Sequence, residues 1–307
     1  MIYNGRALGA DTELSVEREG LRIGRFFLDY AEVDTLCPIN HRVQIGTVSG
    51  ENIEISMLGF SYDGFWEDLQ TCYGERSLEA LFVEEAQTML CEGEYAIPGE
   101  NGRGKIALYP DAVCVLPQTR RAVRIPLCYT SRIIPDGYQL HIQMRSGEEY
   151  VVGKMGYDTK PFAERTIKAA ELTKKNRSAA LKQIPLHSPF TRKGLFRTGY
   201  PEQYWNAALG NGVCAVELYT GEDAATYLYR FREKEELFLE KLEEAMEAMG
   251  THREIIYLPG DQLLEKPLCR MSVDRTPAVR FLRERSDGRL IHSAGHDKRM
   301  EEYLCGG

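Results

Sequence analysis

The chain has 307 residues, and 38 Lys and Arg against 46 Asp and Glu leave a net charge of −8 with His neutral. At 43% hydrophobic and 27% charged it can bury real cores, which excludes a disordered chain. The acidic balance argues against general nucleic-acid binding, and no apolar run reaches the roughly 18 residues of a spanning helix.

The first residues lack the apolar stretch of a signal peptide, so a cytoplasmic protein is expected. The eight cysteines are Cys37, Cys72, Cys91, Cys114, Cys128, Cys214, Cys269 and Cys305. They form no C-x-x-C pair and sit mostly among apolar neighbours, as reduced thiols do.

In chain order, short strands are expected at 13–16, 21–23 and 26–28, with Glu19-Gly20 as a turn. Residues 42–60 alternate apolar and polar side chains around Gly50, the pattern of a β-hairpin. Helical segments follow from Tyr62. Gly74 is expected to break or kink them, and Ser77 to cap a second helix running to Leu90.

Further strands are expected at 105–109, 112–116 and 122–125, then a second hairpin at 139–157 around Gly147. A helix from Pro161 towards Lys182 follows. A third hairpin, 214–231, turns at Gly221, and a helix to Met249 carries the stripe Phe238, Leu242, Ala245 and Met249, with Gly250 as its stop. Strands are expected at 194–196, 204–209, 254–258, 269–273 and 278–282, with a last hairpin across Ser286-Asp287-Gly288.

The three hairpins share more than alternation. In each, an aromatic lies ten residues after the turn glycine: Phe60 after Gly50, Tyr157 after Gly147 and Phe231 after Gly221. Several short strands, a glycine-turned hairpin and one closing helix make a repeated unit.

This pattern resembles the pleckstrin-homology-like superfamily, including its GRAM-type branch, over roughly residues 10–92 and 103–180. The resemblance implies a mostly β, α+β chain of tandem PH-like sandwich or barrel units, each closed by a C-terminal helix. The expected units are 1–92, 93–183 and a divergent, β-rich 184–307.

The candidate binding residues form two groups. Arg103, Lys105, Arg120, Arg121 and Arg124 are the best basic set, suited to phosphate oxygens or an anionic lipid headgroup. Phe65, Trp66 and Tyr73 are candidate anchors for a partner, or core residues of the closing helix. Residues 99–105 spell G-x-x-x-x-G-K, but Ile106 replaces the hydroxyl residue a nucleotide loop needs, so a linker is expected. His292, His296 and Asp297 lack a metal-binding motif and are read as a surface turn.

No catalytic constellation, cofactor or metal is expected. The expected function is a non-enzymatic scaffold that binds a protein, one of basic character given the −8 charge. Peripheral binding to anionic lipid is the alternative, and an enzyme the second alternative.

Overall fold

A computed structural model describes residues 1–186, 189–198, 203–220, 223–250, 252, 254–292 and 304–305. The architecture is α+β, built on antiparallel sheets with packed helices. The first sheet begins with a meander, β1 (Ile2–Ala7), β2 (Ala10–Val16), β3 (Gly20–Ile23) and β4 (Phe26–Asp29). Asp29 Oδ1 accepts from the Ala31 amide at 2.8 Å and caps a 3-10 turn at Tyr30–Glu32. That turn starts β5 (Val33–Ile39), β6 (Arg42–Thr47) and β7 (Asn52–Ser56). β7 returns to β1, giving the order β4-β3-β2-β1-β7-β6-β5.

Period-two alternation buries Leu14, Val16, Val43, Ile45, Ile53 and Ile55 on one face. Helix α1 (Tyr62–Ala80) closes that face with Phe65, Leu69 and Tyr73 at four-residue spacing. The helix does not break at Gly74, and Ser77 is not a cap. Ser77 is the next member of the buried row, 1% exposed, and the packed stripe outweighs the roughly 1 kcal/mol propensity penalty of one glycine. Past Leu81 the backbone turns at Phe82 (φ 57°), so the helix expected as far as Leu90 ends ten residues early.

The second sheet comprises β8 (Met89–Ile97), β9 (Glu100–Leu108), β10 (Ala112–Leu116), β11 (Val123–Pro126), β12 (Thr130–Asp136), β13 (Gln139–Met144) and β14 (Glu149–Gly153). Its order, β11-β10-β9-β8-β14-β13-β12, is that of the first sheet. Helix α2 (Thr159–Leu181) follows and buries Phe162, Ala163, Thr166 and Ala170.

Phe26 and Val123, Val33 and Thr130, Arg42 and Gln139, and Tyr62 and Thr159 begin corresponding elements, each pair 97 positions apart. The register irregularity at Val33/Thr35 recurs at Thr130/Arg132. Gly50 (φ 86°) and Gly147 (φ 91°) turn the equivalent hairpins, a conformation that favours glycine. β8 spans the expected boundary between residues 92 and 93.

The third sheet has a different order, the meander β15-β16-β17-β18-β19. Its strands are β15 (Thr191–Phe196), β16 (Tyr204–Gly210), β17 (Val213–Thr220), β18 (Asp223–Phe231) and the distant β19 (Ser286–His292). Gly221 lies outside the described residues. Helix α3 (Glu235–Met249) packs Phe238, Leu242, Ala245, Met246 and Met249 on this sheet, and Gly250 (φ 52°) ends it.

The strands expected after α3 are helices instead: α4 (Glu254–Tyr257), α5 (Gly260–Leu264), α6 (Pro267–Arg275) and α7 (Pro277–Arg285). Pro267 and Pro277 sit in the first turns of α6 and α7, where proline fixes a helical φ and its missing N–H leaves no bond unmade. The expected final hairpin is one continuous strand, β19, paired along its length with β18. Each sheet has its own hydrophobic core, around Leu14 and Phe65, Ile106 and Phe162, and Trp205 and Phe238.

Candidate functional site

The three sheets are joined by direct bonds. At the first junction, the Leu36 amide donates to the Gln118 carbonyl at 2.7 Å, and the Arg120 amide to the Asp34 carbonyl at 2.8 Å. Thr35 and Thr119 form a β-bridge between them. The loop between β10 and β11 thus pairs with the edge of β5.

Helix α6 covers that junction. Ala31, Ala80 and Met271 pack together, Arg270 pairs with Glu32, and Arg120 Nη2 donates to Asp274 Oδ2 at 2.7 Å. Arg275 Nη2 donates to the Tyr73 hydroxyl at 3.3 Å.

These contacts frame a cleft of about 610 Å³ lined by the first two sheets with their loops and by helices α6 and α7. Its charged lining is Arg120, Arg121, Arg275 and Arg280 together with Asp34, Glu100, Glu148 and Asp274. Burial pushes the Arg275 guanidinium below its ordinary value, against the partial opposition of Tyr73.

A second polar cluster joins the second and third sheets. Arg124 Nη2 donates to Asp111 Oδ2 at 2.6 Å and lies 4.0 Å from Glu247 Oε1. Glu247 is fully buried, and its Oε2 accepts from the Thr198 amide at 3.0 Å. Nearby, Arg177 and Lys193 both pair with Glu243. Burial raises the Glu247 carboxyl above its ordinary value, with Arg124 opposing the shift. Burial also opposes the Arg124 charge, but Asp111 and Glu247 outweigh it and hold that guanidinium above its ordinary value.

The basic set chosen from sequence therefore divides. Arg120 and Arg121 line the junction cleft, Arg120 already paired with Asp274 and 3.9 Å from Asp34. Arg124 does not belong with them. Its side chain is 4% exposed and serves the ion pair with Asp111, so it presents no surface charge to a headgroup.

Arg103 and Lys105 lie on β9 and line a separate cleft of about 370 Å³ between α1 and the second sheet. The stretch 99–105 is the β8–β9 turn and the start of β9, neither linker nor phosphate loop. Its glycines serve packing. A Cβ at Gly104 would come within 2.8 Å of the Leu116 carbonyl, and one at Gly102 within 2.9 Å of the Tyr95 hydroxyl. Arg275 and Arg280, which complete the junction cleft, escape sequence reasoning because they lie more than 150 residues from Arg120, in and beside segments that read as strands.

The aromatic anchors are also redistributed. Phe65 (0% exposed) and Tyr73 (3%) are core residues of α1, and Trp66 packs half-buried beside them. The most exposed aromatics in the exposed set, which also holds Tyr138 at 74%, are Phe60 and Tyr157, at 111% and 102% of the reference exposure. They occupy the same place in the first two sheets' units, each inside the 3-10 turn that precedes the helix. The recurrence ten residues after the turn glycine is their sequence signal. Phe231, third in that pattern, is buried at 8%.

All eight cysteines are free. Burial raises the Cys114 thiol to about 12 and the Cys214 thiol further, so neither supplies a thiolate near neutral pH. Among the described residues there is no His, Cys, Asp and Glu group that could hold a metal, and no helix long and apolar enough to cross a membrane. His296 and Asp297, and the His292 side chain, expected to form a surface turn, lie outside the described residues.

No family model matches the chain. No curated protein matches it. Among solved structures, the C-terminal domain of an unknown protein from Leishmania infantum is similar over 36% of this chain and 97% of its own length, at 8% identity and a TM-score of 0.29. A likeness at that level carries no inference about fold or function.

Proposed function

We propose that the chain is a non-enzymatic binding protein, in which two PH-like units and a third β-rich unit form a scaffold for a protein partner. The observation that carries this reading is the paired exposure of Phe60 and Tyr157. One exposed aromatic is ordinary, but the same position fully exposed in two units of equal strand order is a repeated contact feature. The junction bonds hold the two aromatics in a fixed relation, which suits recognition of one partner at two points. The net charge of −8 favours a basic partner.

The lipid reading is weaker on the same geometry. Arg124 is buried, Arg120 is ion-paired, and Arg103 and Lys105 line a different cleft from Arg121, so the expected cations do not form one basic face for a membrane surface.

The test is affinity capture of stoichiometric partners from the native lysate, comparing the intact chain with a Phe60→Ala/Tyr157→Ala double variant. Both side chains are exposed, so the variant folds normally. The reading expects a partner held by the parent chain and lost, by about tenfold or more, in the variant. Equal retention by both would remove the two aromatics from the interface and the reading with them.

A further inference from the structure

The four guanidinium groups of the junction cleft are not equally satisfied. Arg120 has two carboxylate neighbours, Asp274 and Asp34. Arg121 is exposed and pairs with no carboxylate among the described residues, and Arg280 reaches only the Asp274 carbonyl, at 3.4 Å. Arg275 is the telling case. It is 6% exposed, its hydrogen-bond partner is the neutral Tyr73 hydroxyl, and its Nε meets no acceptor.

Within the cleft, Asp34 and Asp274 face Arg120, and the two glutamates bond hydroxyl groups rather than the remaining guanidinium groups. Glu100 accepts from the Tyr95 hydroxyl at 2.6 Å and from the Thr119 hydroxyl at 2.9 Å. Glu148 accepts from Ser146 and Tyr150, each at 3.4 Å.

Asp274 offsets part of the Arg275 charge but forms no hydrogen bond with it, and a buried guanidinium with no bonded anion is a costly arrangement unless one completes it. Arginine forks match phosphate oxygens two at a time, and several can share one phosphoryl group. A cleft of about 610 Å³ is of the size that takes a metabolite or headgroup.

We infer that the junction cleft binds a phosphoryl group, carried by a soluble ester or a lipid headgroup, through Arg121, Arg275 and Arg280. This site is separate from the Phe60/Tyr157 surface and does not rest on the protein-partner reading.

The intact chain is titrated with inorganic pyrophosphate by calorimetry at low ionic strength. A parallel arm sediments it with phosphatidylcholine vesicles with or without phosphatidic acid. The same probes are applied to Arg121→Ala/Arg280→Ala, which removes two surface side chains and spares the core, and to Arg275→Lys, which keeps the charge and loses the fork.

The parent chain is expected to bind one pyrophosphate with a Kd below about 1 mM, weakened roughly tenfold or more in either variant. Variant-sensitive binding of pyrophosphate with no vesicle binding identifies a soluble phosphate ester. Variant-sensitive binding to phosphatidic acid vesicles places the phosphate on a lipid. Binding that is equal in parent and variants, or no binding of either probe, overturns the inference. Loss of partner capture by the Phe60/Tyr157 variant is read independently of all these outcomes.

Discussion

Replacing Arg124 with Ala is expected to lower the stability of the chain by about 3–5 kcal/mol, read as a fall in the urea midpoint with little change in slope. The substitution leaves Asp111 and the fully buried Glu247 without the cation between them. Removing one member of a buried pair is far worse than removing both, because the remaining charge stays desolvated.

The deficit carries a pH signature. Burial holds Glu247 above its ordinary value of 4.5, so the contribution of its protonated form is complete below that value and is lost as pH rises through the raised folded value. Without Arg124, Glu247 has less reason to ionise, and the deficit of the variant is smaller near pH 5 than at pH 8. In Glu247→Gln the decline of stability on the alkaline side of 4.5 is flatter than in the parent. A deficit for Arg124→Ala that is small and independent of pH would mean the guanidinium is solvated.

Phe65→Ala is expected to cost about 3–5 kcal/mol, against less than about 0.5 kcal/mol for Phe60→Ala. The two residues lie five positions apart and look interchangeable in sequence. Phe65 is fully buried, its ring 5.3 Å from that of Tyr3 in an edge-on contact, and it sits in the row that seals the first sheet. Phe60 touches little that its loss would disturb. Equal thermal shifts for the two variants would contradict this assignment of core and surface.

The difference between these residues shows what the sequence can carry. The turn glycines Gly50 and Gly147, the alternation around them and the helices after them are local signals, and the recurrence at 97 positions is readable without coordinates. Exposure is not local. That Phe65 closes a core while Phe60 does not depends on where β1 lies, and β1 (Ile2–Ala7) contains Asn4, Gly5 and Arg6, which blur its alternation. β8 is obscured in the same way by Glu92, Gly93 and Glu94.

The segments after α3 mislead for another reason. Runs such as 278–282 are too short for a period of two to be told from a period of 3.6, and proline at the first turn decides for helix. The contacts that build the junction span 154 residues from Arg120 to Asp274 and 202 from Tyr73 to Arg275, distances at which no spacing rule operates. Arg124 reads as a surface cation because the helix that brings the buried Glu247 to within 4.0 Å of it packs on a different sheet, far along the chain.

The scaffold reading depends on the three sheets behaving as one body, since only fixed relations make a composite surface. Scanning calorimetry of the intact chain measures this directly. One unfolding transition, with calorimetric and van't Hoff enthalpies equal, is the expected result, because the bridge at Thr35 and Thr119, the pair Arg120–Asp274 and the Arg124–Glu247 cluster tie each sheet to the next. Two or three separate transitions, each with its own enthalpy, would show that the sheets are independent and that the junction cleft is not a fixed feature of the molecule.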